Sequence, residues 1–256
     1  MAMNTTLVIN SKGGSGKTTI TTNLASYYAA NGVPTTILDY DPQGSSLNWL
    51  SLRDRSGTML RGANAAPQRG LRIRSIEMHV PVDTRQLLVD APAGVSGLLL
   101  QEILSRVNNI VIPVAPSAFD IYATANFVKD LLLVGRIRTR SIRLAVVANR
   151  VRNSAPVYRP LERFLGSLAL PFLTRISDSD VYVTAADTGV GIFEMEASAA
   201  AAERMEFMPI VEWVGGQRAV EVPTVSKIID FTQARWSDKA RVPFSRQGLS
   251  SLSGSN

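Results

Sequence analysis

Residues 12–19 read Lys-Gly-Gly-Ser-Gly-Lys-Thr-Thr and follow directly on the apolar run Leu7-Val8-Ile9-Asn10. No other stretch of the chain restricts its fold so tightly. A strand must deliver the backbone to a turn of Gly13, Gly14 and Gly16, whose missing Cβ atoms let N–H groups converge on an anion. A helix starting near Lys17 then aims its positive dipole end at the same point. In that arrangement Lys17 reaches the outer phosphates of a nucleotide and Thr18 offers a hydroxyl to Mg²⁺. The alternative, a glycine-rich turn that binds nothing, leaves the K-G-G-S-G-K-T spacing between strand and helix without a reason.

Three more apolar runs end in polar residues. In Ile37-Leu38-Asp39-Tyr40-Asp41-Pro42-Gln43-Gly44, strand alternation puts Asp39 and Asp41 on one side. Asp39 reads equally well as a cap for the helix that follows Gly44. Leu87-Leu88-Val89-Asp90-Ala91-Pro92-Ala93-Gly94 suits a central parallel strand with Asp90 at its carboxyl end, placed to hold Mg²⁺ through water. Leu144-Ala145-Val146-Val147-Ala148-Asn149-Arg150 ends in an Asn that serves either a base or a turn.

The pattern from Lys12, with Asp-Tyr-Asp-Pro and Asp-x-Pro-x-Gly behind it, resembles the deviant phosphate-binding loop of the ParA/MinD ATPases. The likeness runs over residues 5 to 214. It includes residues 174–196, with Ala185 to Glu194 among them, in the place of the family's stretch near the adenine, and a closing helix over Glu203 to Val214. It implies a single doubly wound, mostly parallel α/β sheet with helices on both faces, and an ATPase that uses ATP and Mg²⁺. Lys12, Gly13, Gly14, Ser15, Gly16, Lys17, Thr18, Thr19 and Asn149 would contact ATP, while Thr18, Asp41 and Asp90 would hold the metal. The catalytic roles would fall to Lys12, Lys17 and Asp41: Lys12 crosses a two-fold interface to the partner's phosphates, and Asp41 positions the attacking water. The other reading of Lys12 is a solvated surface lysine.

Composition agrees with one well-buried α/β core, since 256 residues are 45% hydrophobic and 19% charged. The chain has no cysteine, which fits a reducing cytoplasm and excludes disulfides, thiolate metal sites and iron–sulfur chemistry. It opens on a strand and carries no apolar run of membrane-spanning length, so neither export nor insertion is signalled. The periodicity predicts strands near 5–10, 35–39, 72–76, 86–90, 109–114, 142–149 and 171–174. It predicts helices near 17–31, 44–53, 97–107, 119–135, 156–168, 180–187 and 195–213. Arg55 to Gly70, with three Gly, three Arg and a Pro, reads as an exposed loop. An ATPase domain over 1–214 is expected, then an extension over 215–241 with a helix over 223–236, and a disordered Ser/Gly-rich tail over 242–256.

A net charge of +6 and an isoelectric point near 9.9 favour a polyanionic partner. Arg136, Arg138, Arg140 and Arg143 form one group, and Arg150, Arg152, Arg159 and Arg163 another. By family position, Arg152 with Arg159 and Arg163 implies contact with non-specific DNA. Where many partition ATPases carry a basic stretch this chain has Ile176-Ser177-Asp178-Ser179-Asp180, which would repel phosphate and either shift DNA contact to the other arginines or to Lys227, Arg235, Lys239 and Arg241, or leave it weak; the acidic pair reads alternatively as part of a partner surface. The lone His79 reads as structural.

The resemblance further implies a homodimer in the ATP state, held on the nucleoid of the cytoplasm. It positions a carboxysome, plasmid, chromosome or protein cluster with an adaptor protein that stimulates hydrolysis. The Ile-Phe-Glu-Met segment and the Ala-rich closing helix look most like the carboxysome-positioning McdA-type branch. The rivals are a MinD-like ATPase cycling on a membrane surface and a metabolic enzyme that shares the loop, against which Lys12 argues.

Overall fold

The computed structural model describes residues 3–53, 59–67, 80–134, 142–152 and 170–216. Seven strands form one sheet: β1 Asn4–Val8, β2 Thr35–Asp39, β3 Leu60–Asn64, β4 Gln86–Asp90, β5 Asn109–Val114, β6 Arg143–Val151 and β7 Phe172–Ser177, in the order β3-β2-β4-β1-β5-β6-β7. Every pairing is parallel, so the expected mostly parallel sheet is here wholly parallel. The described helices are α1 Lys17–Ala30, α2 Ser45–Ser51, α3 Gly97–Leu104, α4 Ala118–Val134, α5 Asp180–Thr188 and α6 Ala201–Val214. The strand expected near 72–76, the helices over 156–168 and 223–236, His79 and the tail from 217 lie outside the described residues.

A parallel sheet covered on both faces needs strands that are apolar on both sides, and alternation divides them. Leu7, Leu87, Val89, Ile110, Ile112, Leu144 and Val146 pack on one face with Leu100, Ile103 and Leu104 of α3 and Val128 and Leu131 of α4. Val8, Leu88, Val111, Ala145 and Val147 pack on the other with Ile20 and Leu24 of α1 and Phe207, Ile210 and Trp213 of α6. Burying a side chain such as Phe207 contributes about 1.5–3 kcal/mol.

The neighbouring strands β1 and β4 therefore send their helices, α1 and α3, to opposite faces. Ligands of open α/β sheets bind at the carboxyl ends of such a strand pair. Val8 and Asp90 lie opposite each other in that pair, and Asp39 lies opposite Asp90 in the next. The fold alone thus gathers the glycine loop and both strand-end acids in one place.

The region expected to be a loop, Arg55 to Gly70, contains β3. Leu60–Asn64 pairs along β2, with Ile37 opposite Gly62. A Cβ at Gly62 would fall 2.5 Å from Leu47 Cδ2 and 2.6 Å from Leu50 Cδ2. The glycine that marked a turn in the sequence is the place where α2 seats on the sheet edge.

Candidate nucleotide site

The loop after β1 is held from beneath. Asn10 is fully buried; its Nδ2 donates to Pro113 O at 2.6 Å and to Thr124 Oγ1 at 3.0 Å, and its Oδ1 accepts from Lys12 N at 3.3 Å. Sequence reasoning passed over Asn10, although a polar residue closing an apolar strand before a glycine loop was the available signal. From below the loop, Asn149 Nδ2 donates to Ser15 O at 2.8 Å. Gly16 sits at φ 94°, and a Cβ there would lie 1.8 Å from Asn149 Nδ2. Only glycine fits, both by conformation and by space.

Gly16 also forms the N-cap of α1 and offers no side-chain acceptor. The N–H groups of the first helical turn are left for an incoming anion. Lys17 is buried and bends back to donate to Lys12 O at 3.1 Å. Burial lowers its pKa against the opposing pull of Asp90 and Asp41. The Lys12 side chain is exposed, and no hydrogen bond or ion pair holds its ammonium among the described residues.

The acids divide their labour. Asp39 is fully buried; Oδ1 accepts from Asp41 N at 2.9 Å, and Oδ2 accepts from Ser46 Oγ at 2.6 Å and Leu47 N at 3.4 Å. It caps the first turn of α2 and shapes the turn that carries Asp41. Asp41 remains half-buried, with Oδ1 accepting from Gln43 N at 2.9 Å.

Asp90 accepts from Thr18 Oγ1 at 2.8 Å through Oδ2, while its buried Oδ1 has no partner. Burial, joined by the nearby Asp39 and Asp41, pushes Asp90 up to about 7 against the pull of Thr18 and Lys17. A buried carboxylate oxygen with nothing to bind, beside a threonine hydroxyl, fits a divalent cation held with water in between. Among the described residues no cluster of three His, Cys, Asp or Glu could hold another metal.

A cleft of about 600 Å³ opens beside Thr18 and Thr19, walled by Thr22, Asn23, Asn48 and Trp49 and by Tyr182 of α5. Its walls carry hydroxyls, amides and aromatic rings but no charge. The far end of α2 is clamped: Arg53 lies 5.0 Å over the Trp49 ring, pairs with Glu194 and donates to Gly189 O at 2.8 Å. Trp49 Nε1 donates to Ala185 O at 3.0 Å. Neither the cleft nor the clamp was visible in the motifs.

The proposed nucleic-acid residues are not brought together in the same way. Arg159 and Arg163 lie outside the described residues, as do Arg136, Arg138 and Arg140. Arg143, grouped with the latter as a basic face, is instead half-buried at the amino edge of the sheet, donating to Trp213 O at 2.6 Å and stacked 4.4 Å from its ring. Arg152 is exposed but donates from Nε to Asp178 Oδ2 at 2.7 Å. The aspartate expected to repel phosphate is therefore a partner of the very arginine expected to bind it. Asp180 opens α5 behind the N-cap Ser179, a helix-start position that favours an acid.

An uncapped helix behind a glycine loop, a buried lysine and a Thr–Asp pair at the switch point of a parallel sheet define a P-loop nucleotide-binding protein. Residues 6–192 match the CobQ/CobB/MinD/ParA nucleotide binding domain, and the chain belongs to that family. It is similar to the maintenance of carboxysome distribution protein A of Halothiobacillus neapolitanus, 26% identical over 198 residues that cover 75% of this chain and 88% of that protein. Its fold resembles the MinC:MinD cell division protein complex of Aquifex aeolicus, with a TM-score of 0.64 and 17% identity over 86% of this chain and 99% of that one. It also resembles an ATP complex of Cyanothece McdA, with a TM-score of 0.59 and 12% identity over 86% and 99%.

Proposed function

We propose that the chain is a Mg²⁺-dependent ATPase of the positioning and partition type, working as a nucleotide-gated dimer that rides on DNA. One observation carries this reading: a second lysine, Lys12, stands exposed at the lip of the phosphate loop while Lys17 alone fills the lysine position inside it. A cation in that place is available to a phosphate bound by another copy.

The backbone of Gly13 to Gly16 and the α1 N-terminus wrap the phosphates, Lys17 turns from Lys12 O toward their charge, and Thr19 follows in the first turn. Thr18 and Asp90, with Asp41, would hold the metal. Mg²⁺ when bound supplies neutralising charge on the phosphate oxygens. Asp41 orients the attacking water, and Asp39 fixes the turn from which it acts. The uncharged cleft beside Thr19 suits a sugar and base, whereas Asn149, expected to contact adenine, lies outside that lining and supports the loop through its bond to Ser15 O.

Two copies close with Lys12 crossing between them, the closed pair holds non-specific DNA, and hydrolysis reopens it. An adaptor on the cargo hastens that step. The likeness to a carboxysome-distribution protein makes a carboxysome or a comparable large assembly the favoured cargo. Among the described residues no helix is long and apolar enough to cross a membrane.

The test is duplex binding by gel shift with ATP, ADP or no nucleotide, with anionic vesicles in parallel. ATP-dependent, salt-sensitive DNA binding supports the reading; ATP-dependent vesicle binding without DNA binding replaces it with a membrane-surface cycle.

A further inference from the structure

Two arginines and an aspartate meet where β6 and β7 end. Val151 pairs with Ser177, and Asp178 N donates to Val151 O at 3.2 Å. Arg150, the penultimate residue of β6, and Arg152, just past its end, flank that pairing. The register slips between Ala148 and Val151, and Arg150 sits in the left-handed region at φ 58°, alone in this among the non-glycine residues described. Such irregularities re-aim side chains and are retained where the surroundings impose them.

Arg152 gives both Nε and Nη2 to Asp178 Oδ2 at 2.7 Å, whereas Arg150 Nε stays 3.9 Å from Oδ1. The arginine side chains are 62% and 76% exposed and Asp178 29%. One carboxylate thus hydrogen-bonds one guanidinium and reaches the other only at the outer limit of an ion pair, so that Arg150 mostly faces water.

We infer that this edge is a contact site for a phosphodiester backbone, in which Arg150 supplies the working charge and Asp178 withholds Arg152. The inference rests on the DNA reading above and adds to it a residue and a brake. A phosphate and a carboxylate compete for the same planar donor fork of a guanidinium. Exposed ion pairs are weak, so the carboxylate limits phosphate contact rather than abolishing it. Each phosphate neutralised adds roughly 0.9 to the salt slope of duplex binding. With Asp178 in place the edge counts for about one contact, and without it for about two.

The experiment is fluorescence anisotropy of a random-sequence duplex with the full chain, ATP and Mg²⁺, across a salt series. Asp178→Asn should bind about 3- to 10-fold tighter at low salt and with a slope steeper by about 0.9. Asp178→Ala, whose melting temperature guards against misfolding, should do the same. Arg152→Ala in the Asp178→Asn background should return the slope to the wild-type value, and Arg150→Ala alone should flatten it. Wild-type DNA binding with unchanged slopes in both Asp178 variants overturns this site and leaves the DNA reading standing. No duplex binding by the wild type or either Asp178 variant in any nucleotide state overturns both.

Discussion

The two edges of the sheet are built from similar residue types to opposite ends. At the amino edge most polar side chains complete one another, the buried Trp213 Nε1 being the one left without a partner there among the described residues. Asn4 Nδ2 donates to Val214 O at 3.1 Å and Asn109 Nδ2 to Asn4 Oδ1 at 2.9 Å, while Asn108 Oδ1 accepts from Thr5 N at 2.8 Å. Arg143 adds its bond to Trp213 O. Together Asn4 and Arg143 cap the carbonyl end of α6, where a cation also meets the negative end of the helix dipole. At the carboxyl edge the demands are left open: an uncapped α1, a bare carboxylate oxygen on Asp90, a buried hydroxyl on Ser15 without a partner, and a buried lysine with only a carbonyl to hold. Buried polar groups without partners destabilise a fold, so they persist where a ligand completes them. One edge fastens the closing helix; the other is unfinished without nucleotide.

The sharpest way to break that contrast is Lys17→Ala. It should weaken ATP binding at least about 100-fold, the scale of losing a buried charge-assisted contact, while leaving the melting temperature of the nucleotide-free chain unchanged or raised. Calorimetric titration beside a melting curve checks both halves, and a large loss of stability would make Lys17 a fold residue. Next in size, Asp41→Ala should retain ATP affinity and lose roughly 10²- to 10⁴-fold in hydrolysis, the span of a positioned proton-handling group. Phosphate release at the wild-type rate would remove Asp41 from the site.

A smaller effect comes from Asp90. In the native chain its pKa stands at about 7, against about 3.9 when unfolded. Between those values the native state holds a proton that the unfolded chain has shed, so nucleotide-free stability falls as pH rises through that window. Asp90→Asn should flatten the fall and be more stable than the wild type at pH 8 by roughly 1–3 kcal/mol. Chemical denaturation at pH 5 and pH 8 measures it, and equal pH dependence in both proteins would contradict the burial of an open carboxylate. Confined to the other edge and without effect at the site, Arg143→Ala should destabilise by roughly 1.5–3 kcal/mol through its lost hydrogen bond while leaving ATP affinity unchanged. A change in affinity would mean the edges are not separate.

What was legible in the sequence was local. The glycine loop, the strand-end acids and the parallel order follow from runs whose residues lie next to one another in the chain. Asp39 was read as either a site acid or a helix cap, and it caps α2 while holding Asp41 in place. The strand β3 was hidden because it is an edge strand with only Leu60 fully buried, so it lacks the apolar run that identified the others. Its glycine answers to Leu47 and Leu50, which local pattern does not pair with it. Arg143 read as surface charge because its partner, Trp213, lies 70 residues away. The Arg152–Asp178 pair spans 26 residues and turns an apparent conflict of charges into a bond. Distant pairings of this kind carry no periodic signal.

The central claim is that Lys12 serves a second copy of the chain. Sedimentation equilibrium with ATP and Mg²⁺ on Asp41→Ala, with and without Lys12→Ala, tests it most directly. A dimer in the single variant and a monomer that still binds ATP in the double variant is the expected result. Equally stable dimers in both, or monomers in both, would contradict it and return Lys12 to the surface.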